Sequence, residues 1–361
     1  MRTGVDSRER IIAATERRKT DRPPTGLRCI EEVWKKLETR FGVHTSNEVL
    51  DRLDVDLRWI SLPFIGPAGR SAIPLASEGV DFWGCTNRRV VNDWNAYYEI
   101  SDPPLAHART VEEVDAHDWP SLEWWDYDAI PRLIENACQG GRRAIMFHAG
   151  GAFETPWMIR GFEQFLMDLQ IAPEIAEAIS RHASGYYQAR CERVIAAGKG
   201  RIDIISSGGD VGSQSGMILS PQSWRDHIRP FAARLITPFK HKGLKCFYHS
   251  CGSCVPVIPD LIEMGVDVLD PIQVTAAGMQ PGNLFRLFGD RLSFHGAIDE
   301  TELLTHGTPR QVAEETTRTI DTLGANGGYI VSPTHQVQGD TPIENVIALY
   351  DAARAYRWAG I

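Results

Sequence analysis

The chain of 361 residues is 43% hydrophobic and 24% charged, a globular mixture with enough apolar material for a large core. Its net charge of -9 argues against the basic face of a nucleic-acid binder, and no stretch approaches the ~20 apolar residues of a membrane span. Met1 to Thr20 carries no apolar signal-peptide core, so the cytoplasm is the expected compartment, and an odd number of mostly scattered cysteines does not make a disulfide framework.

Ser7 to Lys19 is rich in helix formers, with Asp6 or Ser7 as N-cap and Asp21-Arg22-Pro23-Pro24 as the stop. Thr25 to Arg28 reads as a first strand. Ile30 to Phe41 reads as a helix closed by Gly42, and Val55 to Ile60 as a second strand. Residues 62–142 are irregular, with many prolines and with Trp83, Trp94, Trp119, Trp124 and Trp125. They read as an excursion, partly hairpin, over Gly79 to Gly84, Arg89 to Val91 and Tyr97 to Ile100.

Short apolar runs then recur at Ala144 to Phe147, Ile202 to Ile205, Leu244 to Tyr248, Val266 to Leu269, Leu292 to Phe294 and Gly328 to Val331. Between most of them lie helical stretches, among them Phe162 to Ala197, Pro221 to Lys240, Val255 to Met264 and Thr308 to Leu323. This alternation predicts βαβ units and a parallel sheet. The strand count suits an α/β fold of the (β/α)8 TIM-barrel type, one domain over 1–361 with the excursion inserted at 62–142. A doubly wound sheet is the competitor, but no G-x-G-x-x-G opens a helix.

In a barrel the residues just past each strand line the active-site face. Those ends read His148-Ala149-Gly150-Gly151 with Glu154 behind, Ser206-Ser207-Gly208-Gly209-Asp210, and His249-Ser250-Cys251. The next three are Asp270-Pro271-Ile272-Gln273, His295-Gly296 and Ser332-Pro333-Thr334-His335. His249 and Cys251, two apart in extended chain, point the same way, and imidazole and thiolate are both zinc ligands. His335 is the natural third ligand, with Glu154 or Asp210 as extra oxygen donors. The bland alternative is a hydrogen-bonded pocket histidine beside a small buried thiol. Cys254 fits better as the first buried residue of the next helix than as a fourth ligand. Asp210, in a Gly-Gly-Asp-Val-Gly turn, reads equally as a general acid or as a turn aspartate.

These residues carry a family resemblance. Arg8-Glu9-Arg10-Ile11, Asp21-Arg22-Pro23-Pro24, Trp157 to Glu163, Gly209-Asp210-Val211-Gly212, Leu219-Ser220-Pro221 and Thr341 to Val346 resemble the uroporphyrinogen decarboxylase superfamily, which includes the corrinoid-dependent methyltransferases. The resemblance implies a (β/α)8 barrel and two candidate activities. True decarboxylases use no metal and bind substrate carboxylates through M-R-Q-A-G-R. Here the corresponding region is Thr25-Gly26-Leu27-Arg28-Cys29-Ile30, in which Arg28 alone is cationic. The methyltransferase branch holds zinc through H-x-C and a cysteine after the last strand. His249 and Cys251 match the first part, and His335 stands where the cysteine would be.

The reading that follows is a zinc-dependent methyltransferase, a demethylase component moving a methyl group between a small substrate and a corrinoid. The chain lacks D-x-H-x-x-G, so the corrinoid is expected on a separate carrier protein. One zinc per chain would sit on His249, Cys251 and His335. Asp210, Glu154 and His335 would be catalytic, with Arg28, His148, Asp270, Gln273 and His295 around the substrate. The alternative is a cofactor-free, uroporphyrinogen decarboxylase-type enzyme in which Asp210 or His335 protonates the substrate while Arg28, Arg58 and Arg160 hold its carboxylates. A non-catalytic binding module is the third reading. No nucleic acid or membrane partner is expected, and a homodimer is left open.

Overall fold

A computed structural model describes residues 4–91, 96–138 and 141–358; Trp94 lies outside them. Strand β1 (Leu57–Ile60) opens a large sheet. The next four, β2 (Arg70–Ser71), β3 (Gly79–Asp81), β4 (Thr86–Val91) and β5 (Ala96–Asp102), form a small sheet of their own. The large sheet resumes with β6 (Ala144–Gly151), β7 (Ile204–Gly208), β8 (Lys245–His249), β9 (Val268–Ile272), β10 (Ser293–Ile298) and β11 (Tyr329–Pro333). Its seven strands run in the order β1-β6-β7-β8-β9-β10-β11, and every pair is parallel.

The first expected strand, Thr25 to Arg28, is not one of them. Thr25 and Cys29 make only isolated bridges, to Val331 and Val337. Pro23 and Pro24 have no N–H to give, and Thr25 donates its own to the Asp56 carboxylate at 3.0 Å. The segment still touches both edges of the curled sheet: Gly26 N–H donates to Val331 O at 2.9 Å, and Leu57 N–H to Thr25 O at 3.2 Å.

Several expected helices are shorter or broken. The first ends at Thr15, well before the prolines, and Arg17 takes a φ of 57°. Asp6 caps it in a reciprocal box with Glu9. Phe162 to Ala197 divides into Phe162–Ile171 and Pro173–Gly198, because a proline disfavours helical geometry in the residue before it, here Ala172. Pro230 and Pro238 likewise fall within the first turns of Arg229–Arg234 and Thr237–His241, which follow Pro221–His227 where one long helix was expected.

The strands of the large sheet alternate faces with a period of two. Outward residues such as Phe147, Ile205, Tyr248, Leu269 and Val331 pack into the main core. Inward residues Leu57, Ala144, Met146, Ile204, Phe247, Val268 and Ile330 fill the concave face, with Ile11 and Ala14 of the N-terminal helix packed against them. Phe82 and Trp83, which follow β3, dock onto Tyr186 and Tyr187 of helix Pro173–Gly198 with ring centroids 5.1–6.2 Å apart, and Trp125 Nε1–H donates to Tyr186 Oη at 2.6 Å.

Candidate functional site

Two residues beyond the inward apolar layer, the same period brings polar side chains to the same face. Met146 is followed by His148, Ile204 by Ser206, Phe247 by His249, Val268 by Asp270 and Ile330 by Ser332. The strands run further than their apolar runs suggest, so these residues sit within strands rather than past them. Register then pairs them: His148 lies beside Ser206 and His249 beside Asp270.

A ring nitrogen of His249, Cys251 Sγ and a ring nitrogen of His335 all lie within 4.8 Å of one another. His249 Nε2 is 3.6 Å from Cys251 Sγ, and its Nδ1 is 2.9 Å from Asp270 Oδ2. The other oxygen of Asp270 is 2.6 Å from His295 Nδ1, and Arg28 approaches Asp270 at 3.5 Å. The loops after β7 and β8 meet backbone to backbone. A Cβ on Gly252, whose φ is +71°, would lie 2.5 Å from the Gly212 carbonyl carbon. That closeness lets Asp210 Oδ1 accept the Cys251 N–H at 2.8 Å, while Glu154 Oε1 accepts the Asp210 N–H at 2.6 Å.

The electrostatics follow from this packing. Burial alone would lower His249, but its hydrogen bonds to Asp270 and Cys251 outweigh burial and hold it well above its ordinary value. Burial pulls Asp270 up, yet the His295 and Arg28 charges and the two imidazole contacts keep it well below the usual carboxylate range. Burial, with the His249 and Arg28 charges, pushes His335 down to about 4, so its ring is neutral at neutral pH. Burial and then the Asp210 charge raise Glu154 to about 7.

His148, Glu154, Asp210 and His249 line a cavity of about 530 Å³, whose walls include Trp59, Phe82, Trp125, Phe147 and Tyr187. The other expected substrate residues are not among its lining side chains, though Asp270 and Arg28 stand directly behind His249 and Trp59. Asp270 and His295 are 1% and 3% exposed and bound to each other. Gln273 accepts the Gly252 N–H at 2.5 Å, and Arg28 stacks on Trp59 with 5.0 Å to the ring centroid. Cys254 is fully buried just before the turn Val255–Val257. The carboxylate clamp of the decarboxylase alternative is not assembled. Arg58 pairs with Asp51 at 2.6 Å and Arg160 with Asp168 at 2.6 Å, both buried as structural links. A hollow of about 410 Å³ lined by Arg8, Glu16, Asp203 and Lys245 has those charges already paired, Arg8 with Asp203 and Lys245 with Glu16.

Sequence reasoning missed Arg190, Tyr187 and Trp59 as cavity residues. Trp59 had a signal, the inward period of β1. Arg190 and Tyr187 had none, since both come from the middle of helix Pro173–Gly198.

No described helix is long and apolar enough to cross a membrane. The family described as "Uroporphyrinogen decarboxylase (URO-D)" matches residues 99–356. Among curated proteins, the chain is 27% identical over 268 residues to a uroporphyrinogen decarboxylase of Anaeromyxobacter sp. (strain Fw109-5), covering 71% of this chain and 72% of that one. It is 27% identical over 146 residues to a methylated-thiol–coenzyme M methyltransferase of Methanosarcina mazei, covering 39% and 35%. Among solved structures, a methyltransferase from Methanosarcina mazei superimposes with a TM-score of 0.71 at 16% identity, over 97% of this chain and 98% of the other; this likeness is one of fold.

Proposed function

The chain belongs to the uroporphyrinogen decarboxylase family, and we propose that it is a zinc-dependent methyltransferase within it. In this reading it moves a methyl group between a small substrate and a corrinoid on a separate carrier protein.

The observation that carries this reading is the convergence of His249, Cys251 and His335 within 4.8 Å. Two imidazoles and a thiol are a donor set that suits zinc, and three protein ligands leave a fourth position for substrate. Bound there, zinc would supply Lewis acidity toward the oxygen, nitrogen or sulfur that carries or receives the methyl group. Asp270 holds His249 by Nδ1 and so turns Nε2 toward Cys251. His335 is neutral at neutral pH, with a lone pair free to ligate, whereas His249 and Cys251, both raised in the metal-free chain, would each give up a proton when zinc binds. Glu154, raised to about 7, holds a proton near neutrality and can pass it to a leaving group in the same cavity. Asp210 fixes the Cys251 backbone by accepting its N–H. The similarity to an enzyme named as a methyltransferase supports the reaction class. The engagement of Arg58 and Arg160 in structural pairs weighs against the decarboxylase alternative.

Elemental analysis of protein grown with added zinc and purified without chelators tests the reading. About one zinc per chain is expected in the wild type, and almost none in Cys251→Ser with its circular dichroism unchanged. A metal-free wild type sinks it. A zinc-loaded protein then goes to an assay of corrinoid methylation.

A further inference from the structure

Four arginines are buried in the described residues: Arg22, Arg58, Arg160 and Arg190. Three meet a carboxylate, Arg22 with Asp56 at 2.7 Å, Arg58 with Asp51 at 2.6 Å and Arg160 with Asp168 at 2.6 Å. Arg190, 8% exposed, meets none among the described residues. Among the described residues its one hydrogen bond runs from Nη2 to Ala149 O at 2.8 Å, and its Nε is buried with no partner there. A buried guanidinium left this way is costly unless something completes its hydrogen bonds.

Arg190 lines the same cavity as His249, Asp210 and Glu154. We propose that it anchors a carboxylate of the substrate, and that the substrate is a small acid with a flat, apolar body.

The guanidinium already lies near the rings of Trp125, Tyr187 and Phe147, at 4.9, 5.1 and 5.6 Å from their centroids. Such contacts attract a cation but accept no in-plane hydrogen bond. A carboxylate takes hydrogen bonds in the guanidinium plane, so rings and carboxylate can share the group. Other apolar walls of the cavity, Trp59, Phe82 and Met158, suit a flat apolar body between that carboxylate and His249. One arginine in the cavity lining, meeting no carboxylate among the described residues, suits a substrate with one carboxylate and not a polyacid.

The inference rests on the proposed function only for the identity of the reacting end. Benzoate has no methyl group to transfer, so its binding tests the anchor apart from the chemistry, while zinc content and corrinoid methylation test the chemistry apart from the anchor. Titration calorimetry and melting curves with benzoate and with neutral benzamide are the measurement. Benzoate should raise the melting temperature of the wild type and bind at least about tenfold tighter than benzamide. Arg190→Gln should lose that preference with its zinc content unchanged, and Arg190→Lys should restore part of it. Equal binding of the two ligands, no binding of benzoate, or a preference that survives in R190Q would each overturn the anchor. Should R190Q not fold, the comparison of the two ligands on the wild type decides.

Discussion

Glu154 places one oxygen on the Asp210 N–H and leaves the other, Oε2, buried without a partner. Burial and the neighbouring carboxylate raise its pKa to about 7. The folded state therefore holds a proton that the unfolded chain gives up near the ordinary glutamate value. The stability tied to this group is complete below that value and is lost as pH rises through about 7. Glu154→Gln cannot titrate. In protein stripped of metal, its unfolding free energy should fall less than the wild type's between about pH 5 and about pH 8, by on the order of 2 kcal/mol. Parallel curves for the two proteins would place Glu154 in an ordinary, solvated environment. At this scale the sequence was informative where the backbone carries the signal. His249 and Cys251 share a side because they lie two apart, and His335 follows the last strand. It was silent on Arg190, whose surroundings arise only when helix Pro173–Gly198 packs on β6 and on the small sheet. Gly150 shows the same limit: a Cβ there would lie 2.2 Å from the Tyr187 ring, a contact between distant parts of the chain.

Among the elements, the segment between the first helix and β1 depends on one carboxylate. Asp56, fully buried, accepts from Arg22 at 2.7 Å, from Arg10 at 3.2 Å and from the Thr25 N–H at 3.0 Å. These contacts hold residues 22–26 between β11 and β1. Asp56→Ala would take from buried Arg22 one of its two carboxylate partners, the fully buried one, and loss of one member of a buried pair costs about 3–5 kcal/mol. Urea unfolding should show the midpoint falling with its slope unchanged; a loss within error would mean that Asp54, which also contacts Arg22 at 2.7 Å, suffices. The expected strand at Thr25 to Arg28 and the observed bonded segment differ for this reason. Apolar alternation sees side chains, whereas pairing here is set by prolines without N–H groups and by an acid that takes the next one. The helix breaks at Ala172 and around Pro230 and Pro238 were legible in the prolines themselves; helical periodicity ran across them.

For the molecule as a whole, the open question is whether the small sheet and the large one unfold together. The expectation from sequence was one domain with an inserted excursion. The contacts between the two parts are aromatic rings fixed by polar bonds: Trp83 Nε1–H donates to Tyr187 Oη at 3.2 Å, Trp125 Nε1–H to Tyr186 Oη at 2.6 Å, and Arg190 lies against Trp125. The cavity draws walls from both, with Phe82 and Trp125 from the insertion and Phe147 and His249 from the large sheet. A cavity built across a seam keeps its shape only while the seam is closed, so the insertion and the strands that lead into His249, Cys251 and His335 should share one transition. The chain reports on this without labels. Of its ten tryptophans, Trp83, Trp94, Trp119, Trp124 and Trp125 lie in the insertion, whereas far-ultraviolet circular dichroism is dominated by helices outside it, Pro173–Gly198 foremost. Tryptophan fluorescence and circular dichroism should therefore trace one coincident curve in urea. An earlier fluorescence transition that leaves the helical signal intact would make the insertion a separately melting lid, and would predict that benzoate, by bridging Arg190 and the insertion's aromatic wall, pulls the two curves together.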